Sequence, residues 1–431
     1  MSLSNIKEGV SGMRLNFFEN LNKVKGGYKE HTYKMQEKKS SYDIICPYDF
    51  RRFAPNEVLF RSENEEEELT QDIELENYWR LVSGGSIEPG LQKKIIRPET
   101  VNQVNHKYQN GILVGLEEKN GCITHTRVCP YCHNRLPHTA GKSPSNIISF
   151  YGSTNAGKTV YMTILINMLC DRTQNNFGAS CIEVTAGFGK LGEFEEKLRS
   201  ILESGHQATA PKYIKPLVFS FCFADKNKPD LTLCFYDFPG EKDLDAEFVA
   251  LKANHLRNAS ALIYMIDPLQ FETVAELMDK KKPNNKSLIK SNIAFMDETF
   301  AETDNFSALK KPLAVVLTKT DELKELAQKR EDIISPYSNM FKDFEHKEYL
   351  DLDEVFNINN DVLDFIHHTE PTIENDVKIR FPNAGFFGVS ALGSPTTNNK
   401  VQNEIQPCRV DEPFLWILYQ LGYIKGREKN V

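Results

Sequence analysis

The densest chemistry in the chain lies in FYGSTNAGKTVYM, from Phe150 to Met162. Gly152, Gly157, Lys158 and Thr159 fit the spacing G-x-x-x-x-G-K-[ST], with Ser153, Thr154, Asn155 and Ala156 between the glycines. A loop of this kind turns backbone N–H groups onto a phosphate chain. Lys158 would reach the β- and γ-phosphates, and the Thr159 hydroxyl would hold Mg²⁺. Two elements must flank it. Asn146 to Tyr151, NIISFY, is β-branched and aromatic enough for a buried parallel strand, and Val160 to Leu169, VYMTILINML, suits a helix packed on a sheet. The helix would then offer its N-terminus, with unpaired N–H groups and the positive dipole end, to an anion.

Further candidate groups follow at the ends of later apolar runs. Leu217 to Ala224 and Leu231 to Tyr236, joined by the turn DKNKPD, read as an antiparallel hairpin. The second runs straight into Asp237-Phe238-Pro239-Gly240, where Asp237 would bind Mg²⁺ through water and the Gly240 N–H would meet a γ-phosphate. Before the hairpin, ESGHQATAPKYIK is placed as a nucleotide-sensing loop, with Thr209 as a second Mg²⁺ ligand. Leu313 to Leu317 ends in Thr318-Lys319-Thr320-Asp321. There the Asp321 carboxylate can accept both N1–H and N2–H of guanine, a donor pair adenine lacks, while the Lys319 stem lies across the base. Gly385 to Val389 leads to Ser390-Ala391-Leu392, whose backbone N–H groups can meet guanine O6. Cys181 to Val184 and Ala261 to Asp267 complete the expected strands. Helices are expected over 194–202, 246–257, 268–279, 287–303 and 412–421, with helical insertions near 268–310 and 322–368, the second of them charged.

A second kind of chemistry precedes the loop. Cys129-Pro130-Tyr131-Cys132 is a tight knuckle that would aim two thiolates at one metal, and Cys46-Pro47-Tyr48-Asp49 repeats it with Asp in place of the second Cys. Tetrahedral zinc needs four ligands, so Cys46, Asp49, Cys129 and Cys132 form the leading set. Cys122, His125, His133 and His138 are substitutes for the fourth ligand, and the competing reading is a ribbon that folds without metal. No thioredoxin-like unit surrounds the C-x-x-C, which argues against a redox role.

The chain has 431 residues, 40% of them hydrophobic, enough for a large core and two domains. Its organisation reads as an N-terminal arm over 1–42, a small domain over 43–140, a Gly/Pro/Ser linker near 140–146 and a larger domain over 146–425. The net charge of −8, from 60 acidic and 52 basic residues, argues against a general nucleic-acid or anionic-membrane binder. No apolar run approaches the roughly 18 residues of a membrane span. The N-terminus lacks a signal peptide's apolar core, and the nine cysteines show no disulfide spacing, so a cytoplasmic protein is expected.

Taken together, GSTNAGKT, DFPG, TKTD and SAL stand in the order and strand-end placement of a Ras-like GTPase domain, which the stretch from 146 to 425 resembles. The resemblance implies an α/β fold with helices on both faces of a mostly parallel sheet, bound GTP or GDP, and Mg²⁺. The hairpin before DFPG resembles the TRAFAC class, whose sheet has one antiparallel strand. With the CPYD and CPYCHNRLP knuckles before the GTPase domain, the chain is similar to the double-GTPase families of bacterial conflict systems. That likeness implies a zinc-ribbon-like, β-rich first domain and partners among effector or adaptor proteins, including a second GTPase. Two residues depart from the pattern. Thr318 stands where Asn often begins the guanine motif, and Glu241 follows Gly240 where many GTPases carry the Gln that orients water. Slow intrinsic hydrolysis is therefore expected, open to acceleration by a partner's arginine. The expected function is a regulatory switch in which GTP orders residues 204–212 and 240–250, with Lys158, Thr209, Gly240 and Glu241 around the γ-phosphate. A nucleotide-gated scaffold that barely hydrolyses GTP is the alternative, and an ATPase the third reading.

Overall fold

The seven apolar runs expected to be strands assemble into a single sheet. The structure is a computed structural model that describes residues 21–25, 28–31, 35–153, 156–184, 200, 216–237, 253–279, 286–301, 311–396, 401 and 404–429. In chain order the sheet strands are β1 Ser145–Gly152, β2 Ala179–Glu183, β3 Leu217–Phe223, β4 Leu231–Asp237, β5 Ala261–Ile266, β6 Leu313–Leu317 and β7 Ala384–Gly388. Their spatial order is β2-β3-β4-β1-β5-β6-β7. β3 pairs antiparallel with both neighbours, and the pairs from β4 to β7 are all parallel. One strand therefore runs against the rest, as the hairpin reading expects. The central strands read as near-continuous apolar runs because both faces are covered; β5 and β6 are buried at every position.

Four helices position the site: α1 Ile73–Ser83, α2 Lys158–Met168, α3 Leu352–Thr369 and α4 Glu412–Gln420. α2 is apolar all round and almost wholly buried, which places it inside the packing rather than on its surface. α3 starts at Asp351, whose carboxylate accepts the Glu354 N–H at 3.1 Å, a helix cap. It buries Leu352, Val355, Ile358, Val362, Phe365 and Ile366. Its Asn359 side chain accepts the Phe386 N–H at 2.9 Å, satisfying a donor of the edge strand β7. The stretch 322–368, expected as a mostly helical insertion, thus divides in two: a loop-rich part up to Leu350, then a helix that belongs to the core.

The N-terminal unit is built from short strands around α1. Ile44–Ile45 pairs with Arg52–Phe53, Leu59–Arg61 pairs with both Arg127–Val128 and Ile95–Ile96, and Ile112–Glu117 joins His106–Gln109 to Ile123–Thr124. The stretch expected as a linker is packed rather than loose. Ala140 and Ser143 are 1% and 2% exposed, and Ser143 Oγ lies 2.7 Å from Thr232 Oγ1 on β4, which in turn donates to Thr139 Oγ1 at 2.9 Å. The two units share one continuous apolar core.

The N-terminal arm departs from its expected helical or loose state where it is described. Leu21–Lys25 and Tyr28–His31 form a hairpin whose second strand pairs antiparallel with Gly426–Lys429, itself beside Leu350–Asp351. Pairing across nearly the whole sequence has no local signature, so periodicity within the arm could not indicate it.

Candidate functional site

Parallel strands that share a direction bring their C-terminal ends to one edge, and that edge collects the groups singled out in the sequence. Gly152 at the end of β1 pairs with Met265 on β5, and Phe150 pairs with Asp237 at the end of β4. Gly152 has φ +148°, and a Cβ there would lie 2.3 Å from the Met265 carbonyl oxygen, so the close strand approach needs glycine. Gly157 caps α2 in the left-handed conformation, φ +79°, and the chain enters the helix directly at Lys158. The Lys158 ammonium donates to the Gly152 carbonyl at 2.7 Å and the Ser153 carbonyl at 2.9 Å, folding back over its own loop. Ser153 Oγ donates to Gln270 Oε1 at 2.8 Å, and Ala156 is fully buried.

The base motif sits on the neighbouring strand ends. Lys319 adopts φ +53°, unusual for a residue with a side chain, which lets the chain turn sharply out of β6. Its ammonium donates to Asp267 Oδ2 at 2.6 Å, one residue past the end of β5. A Cβ placed on Gly157 would lie 4.0 Å from Lys319 Cε, so the lysine stem passes beside the phosphate loop with about a methyl group's room between them. Asp321 accepts from Ser390 Oγ at 2.5 Å. Burial pushes the Asp321 carboxyl above its usual range, and the Ser390 hydrogen bond opposes that rise. The Thr318 hydroxyl donates to the Ile266 carbonyl at 3.3 Å. The Ser390 N–H is directed to the Cys408 carbonyl at 3.1 Å, which leaves the O6-directed part of the expectation to Ala391 and Leu392. Leu392 packs with Val160 and Ile405.

Thr154, Asn155, Thr209, Gly240 and Glu241 lie outside the described residues, as do the sensor segments 204–212 and 240–250 and most of the helices expected over 194–202 and 246–257. Asp237 is placed as the last residue of β4. Thr159 follows Lys158 in the first turn of α2. Two groups escaped the sequence reading. Asp267 ended an expected strand and so carried a readable signal, an acid at a parallel strand's C-terminus. Arg409 carried none: it is 1% exposed, forms an ion pair with Glu412 at 2.9 Å and another with Glu354, and its neighbour Cys408 pairs with Ser390.

Away from this edge, the two knuckles come face to face. Each begins with a Cys followed by Pro, which presets φ for a turn. In the first, Tyr48 N–H points at Cys46 Sγ (3.4 Å), Phe50 N–H at the Cys46 carbonyl (3.1 Å), and Cys46 N–H at the Arg51 carbonyl (2.9 Å). The second repeats all three: Tyr131 to Cys129 Sγ (3.5 Å), His133 to the Cys129 carbonyl (3.2 Å), Cys129 to the Asn134 carbonyl (3.0 Å). Both fifth residues take positive φ, +64° at Phe50 and +53° at His133. The ligating atoms of Cys46, Asp49, Cys129 and Cys132 all lie within 4.8 Å of one another. Cys46 Sγ is 3.7 Å from Cys132 Sγ, and Cys129 Sγ is 3.4 Å from Asp49 Oδ2. A tetrahedron with metal–sulfur bonds of about 2.3 Å has S···S edges of about 3.8 Å, so the donor set fits a tetrahedral cation. Burial pushes the Cys46 and Cys132 thiols up, and burial with the neighbouring Cys129 raises Asp49 to about 7. A bound cation would reverse that cost. Two of the substitute ligands are engaged elsewhere, His133 Nδ1 lying 2.8 Å from Asp72 and His125 Nδ1 3.1 Å from the Val114 carbonyl. Asp72, Glu74 and His133 also converge, but Asp72 is committed to Arg61 and to capping α1 at Leu75 N–H.

No protein-family model and no curated protein matches the chain. Among solved structures it is similar to the Arl6 BBS3 small GTPase from Trypanosoma brucei with bound GppNp, at 12% identity and TM-score 0.28, over 64% of this chain and 95% of that one. It is also similar to the S. cerevisiae Ski7 GTPase-like domain bound to GTP, at 16% identity and TM-score 0.32, over 65% of this chain. The same domain bound to GDP and inorganic phosphate matches with the same values, and in both cases the chain spans 51% of the Ski7 chain. Likenesses this distant leave the sheet order and the residues at its strand ends to carry the reading. Among the described residues, no helix is long and apolar enough to cross a membrane.

Proposed function

We propose that the protein is a GTP-binding switch with slow intrinsic hydrolysis, carrying a zinc-braced module in front of its nucleotide domain. The observation that carries this is the junction of two half-sites on one sheet edge. Lys319 of the base motif passes beside Gly157 of the phosphate loop, while Asp321, the carboxylate suited to guanine, accepts a hydrogen bond from Ser390. The phosphate and base motifs thus lie side by side on that edge, as the binding of one nucleotide would require.

In this reading Lys158 leaves the Gly152 and Ser153 carbonyls for the β- and γ-phosphates, and Thr159 and Asp237 would hold Mg²⁺, which neutralises charge developing on the phosphates. Asp267 keeps Lys319 extended across the base. Glu241, in place of the usual Gln, favours slow turnover and an arginine supplied by a partner or second copy. Effector or adaptor proteins of the bacterial conflict type would read the state of 204–212 and 240–250. Three thiols and a carboxylate at tetrahedral spacing suit zinc, and the knuckle pair is read as a ribbon-like module facing partners. The non-hydrolysing scaffold draws its support from the same Glu241.

A titration of the full chain with GTP, GDP, xanthosine triphosphate and ATP in Mg²⁺ tests the core claim. GTP and GDP should bind and ATP should not, and Asp321→Asn should move the preference toward the xanthosine nucleotide. ATP binding as tight as GTP, or guanine binding indifferent to Asp321→Asn, would overturn it. Elemental analysis tests the module, with zinc expected in stoichiometric amount and lost in Cys132→Ser.

A further inference from the structure

The two knuckles share a backbone conformation but send their fifth side chains in different directions. His133 turns into its own unit toward Asp72, whereas Phe50 turns into the nucleotide domain. Phe50 is fully buried between Tyr236 and His255, with ring centroids 4.9 Å and 4.7 Å away and both contacts edge-on. Tyr236 and His255 also meet each other at 4.5 Å. Tyr236 immediately precedes Asp237 on β4 and pairs with Ser149 on β1, the strand that delivers the phosphate loop. His255 lies on the helical segment 253–258 beyond the DFPG motif. From that segment Asn254 Nδ2 donates to the backbone carbonyl of Asp49, one of the four candidate ligands, at 3.0 Å. Two elements bracketing the DFPG stretch therefore both touch the first knuckle, one through a ring and one through a ligand's own backbone.

We propose that Phe50 is a positioning residue through which metal in the Cys46–Asp49–Cys129–Cys132 cluster and nucleotide on the sheet edge strengthen each other's binding. This rests on the nucleotide and zinc readings given above. A cation drawing four donors together fixes the first knuckle, and the knuckle fixes how Phe50 seats between Tyr236 and His255. That seat determines how firmly the end of β4, with Asp237, is held beside the phosphate loop. Linkage makes the effect reciprocal, so nucleotide that orders the end of β4 must also retain the metal.

The test measures the affinity of a fluorescent GTP analogue in Mg²⁺ for the full chain, zinc-loaded and then stripped with a chelator, with circular dichroism to confirm that the stripped protein is folded. Stripping should weaken binding by about 5–150-fold, the usual span of a coupling between sites. Because stripping can disturb the small unit, Phe50→Leu supplies a second arm. It keeps an apolar plug and should retain zinc, yet should weaken nucleotide binding in the same direction and by less. In the reciprocal arm, GTP with Mg²⁺ should slow zinc transfer to a chromophoric chelator in the wild type, and less so in Phe50→Leu. Equal nucleotide affinity with and without zinc, in protein that binds both, would overturn the coupling and leave the two sites standing. Zinc-loaded protein that fails to bind GTP would overturn the nucleotide reading, and the coupling with it.

Discussion

The knuckle pair and the phosphate loop, proposed as a metal site and a phosphate site, hold their polar groups differently. In the knuckles every donor already points inward, held by repeated local hydrogen bonds that run from one residue to the next few. In the loop, Lys158 faces back onto the Gly152 and Ser153 carbonyls, so an arriving phosphate must take the lysine from its own backbone. A cluster of buried, like-charged donors is held together by its metal and gains little by letting go. A loop that satisfies itself can exchange its ligand, as a switch requires. On the proposed function, the first region would serve as a brace and the second as a moving part.

The largest expected effect breaks one side of this contrast alone. Lys158→Ala should lower GTP affinity by about 10²–10⁴-fold, since two hydrogen bonds to a charged group contribute about 1.5–3 kcal/mol each. Zinc content should stay unchanged, and a parallel loss of zinc would blur the contrast. The next effect strikes the brace. Asp72→Ala removes the partner of both Arg61 and His133, the residue after the candidate ligand Cys132. Because it acts beside a ligand and not on one, metal affinity in a chelator competition should fall by about tenfold, the low end of the cost of losing a residue bonded to a ligand itself. Unchanged zinc retention would make the knuckles self-sufficient.

Effects of that size or less sharpen the description of the loop's partner site. Ser390→Ala takes the donor from Asp321 and should cost guanine nucleotides about tenfold in affinity, or about 1.4 kcal/mol, measured against xanthosine nucleotides as control. Smallest is the pH response. Asp321 must be ionised to accept both guanine donors, and burial holds its carboxyl above the usual range. Protonation on acidification then removes the acceptor, so GTP affinity should begin to fall at a higher pH than an ordinary aspartate would allow. It is fully present above the raised pKa and is lost as pH drops through it. A guanine-binding profile flat down to about pH 4 would place Asp321 outside the base contact.

How legible each region was follows from where its determinants lie. CPYD and CPYC could be matched by eye because the knuckle is made by contacts within six residues, and the structure places the leading ligand set together. The strands were readable because each is a short apolar run ending in polar chemistry. What escaped depends on residues far apart in sequence: Asp267 with Lys319, Arg409 with Glu354, Phe50 between Tyr236 and His255. Helix α1, by contrast, carries a local signal that the sequence reading passed over: Leu75, Tyr78, Trp79 and Val82 recur at i, i+3, i+4 and i+7 behind the cap Asp72, and all four are buried. What only the structure adds is that Asp72 also meets Arg61 and His133.

The pairing of Tyr28–His31 with Gly426–Lys429 also bears on how the molecule is made. A ribosome makes the second of these strands roughly 400 residues after the first, so at about 5–20 residues per second the hairpin waits tens of seconds for its neighbour. The small sheet therefore closes only after the strands of the parallel sheet, which lie between them in sequence, have been made. Slowing translation late in the message should prolong protease sensitivity of the hairpin while sparing the parallel sheet.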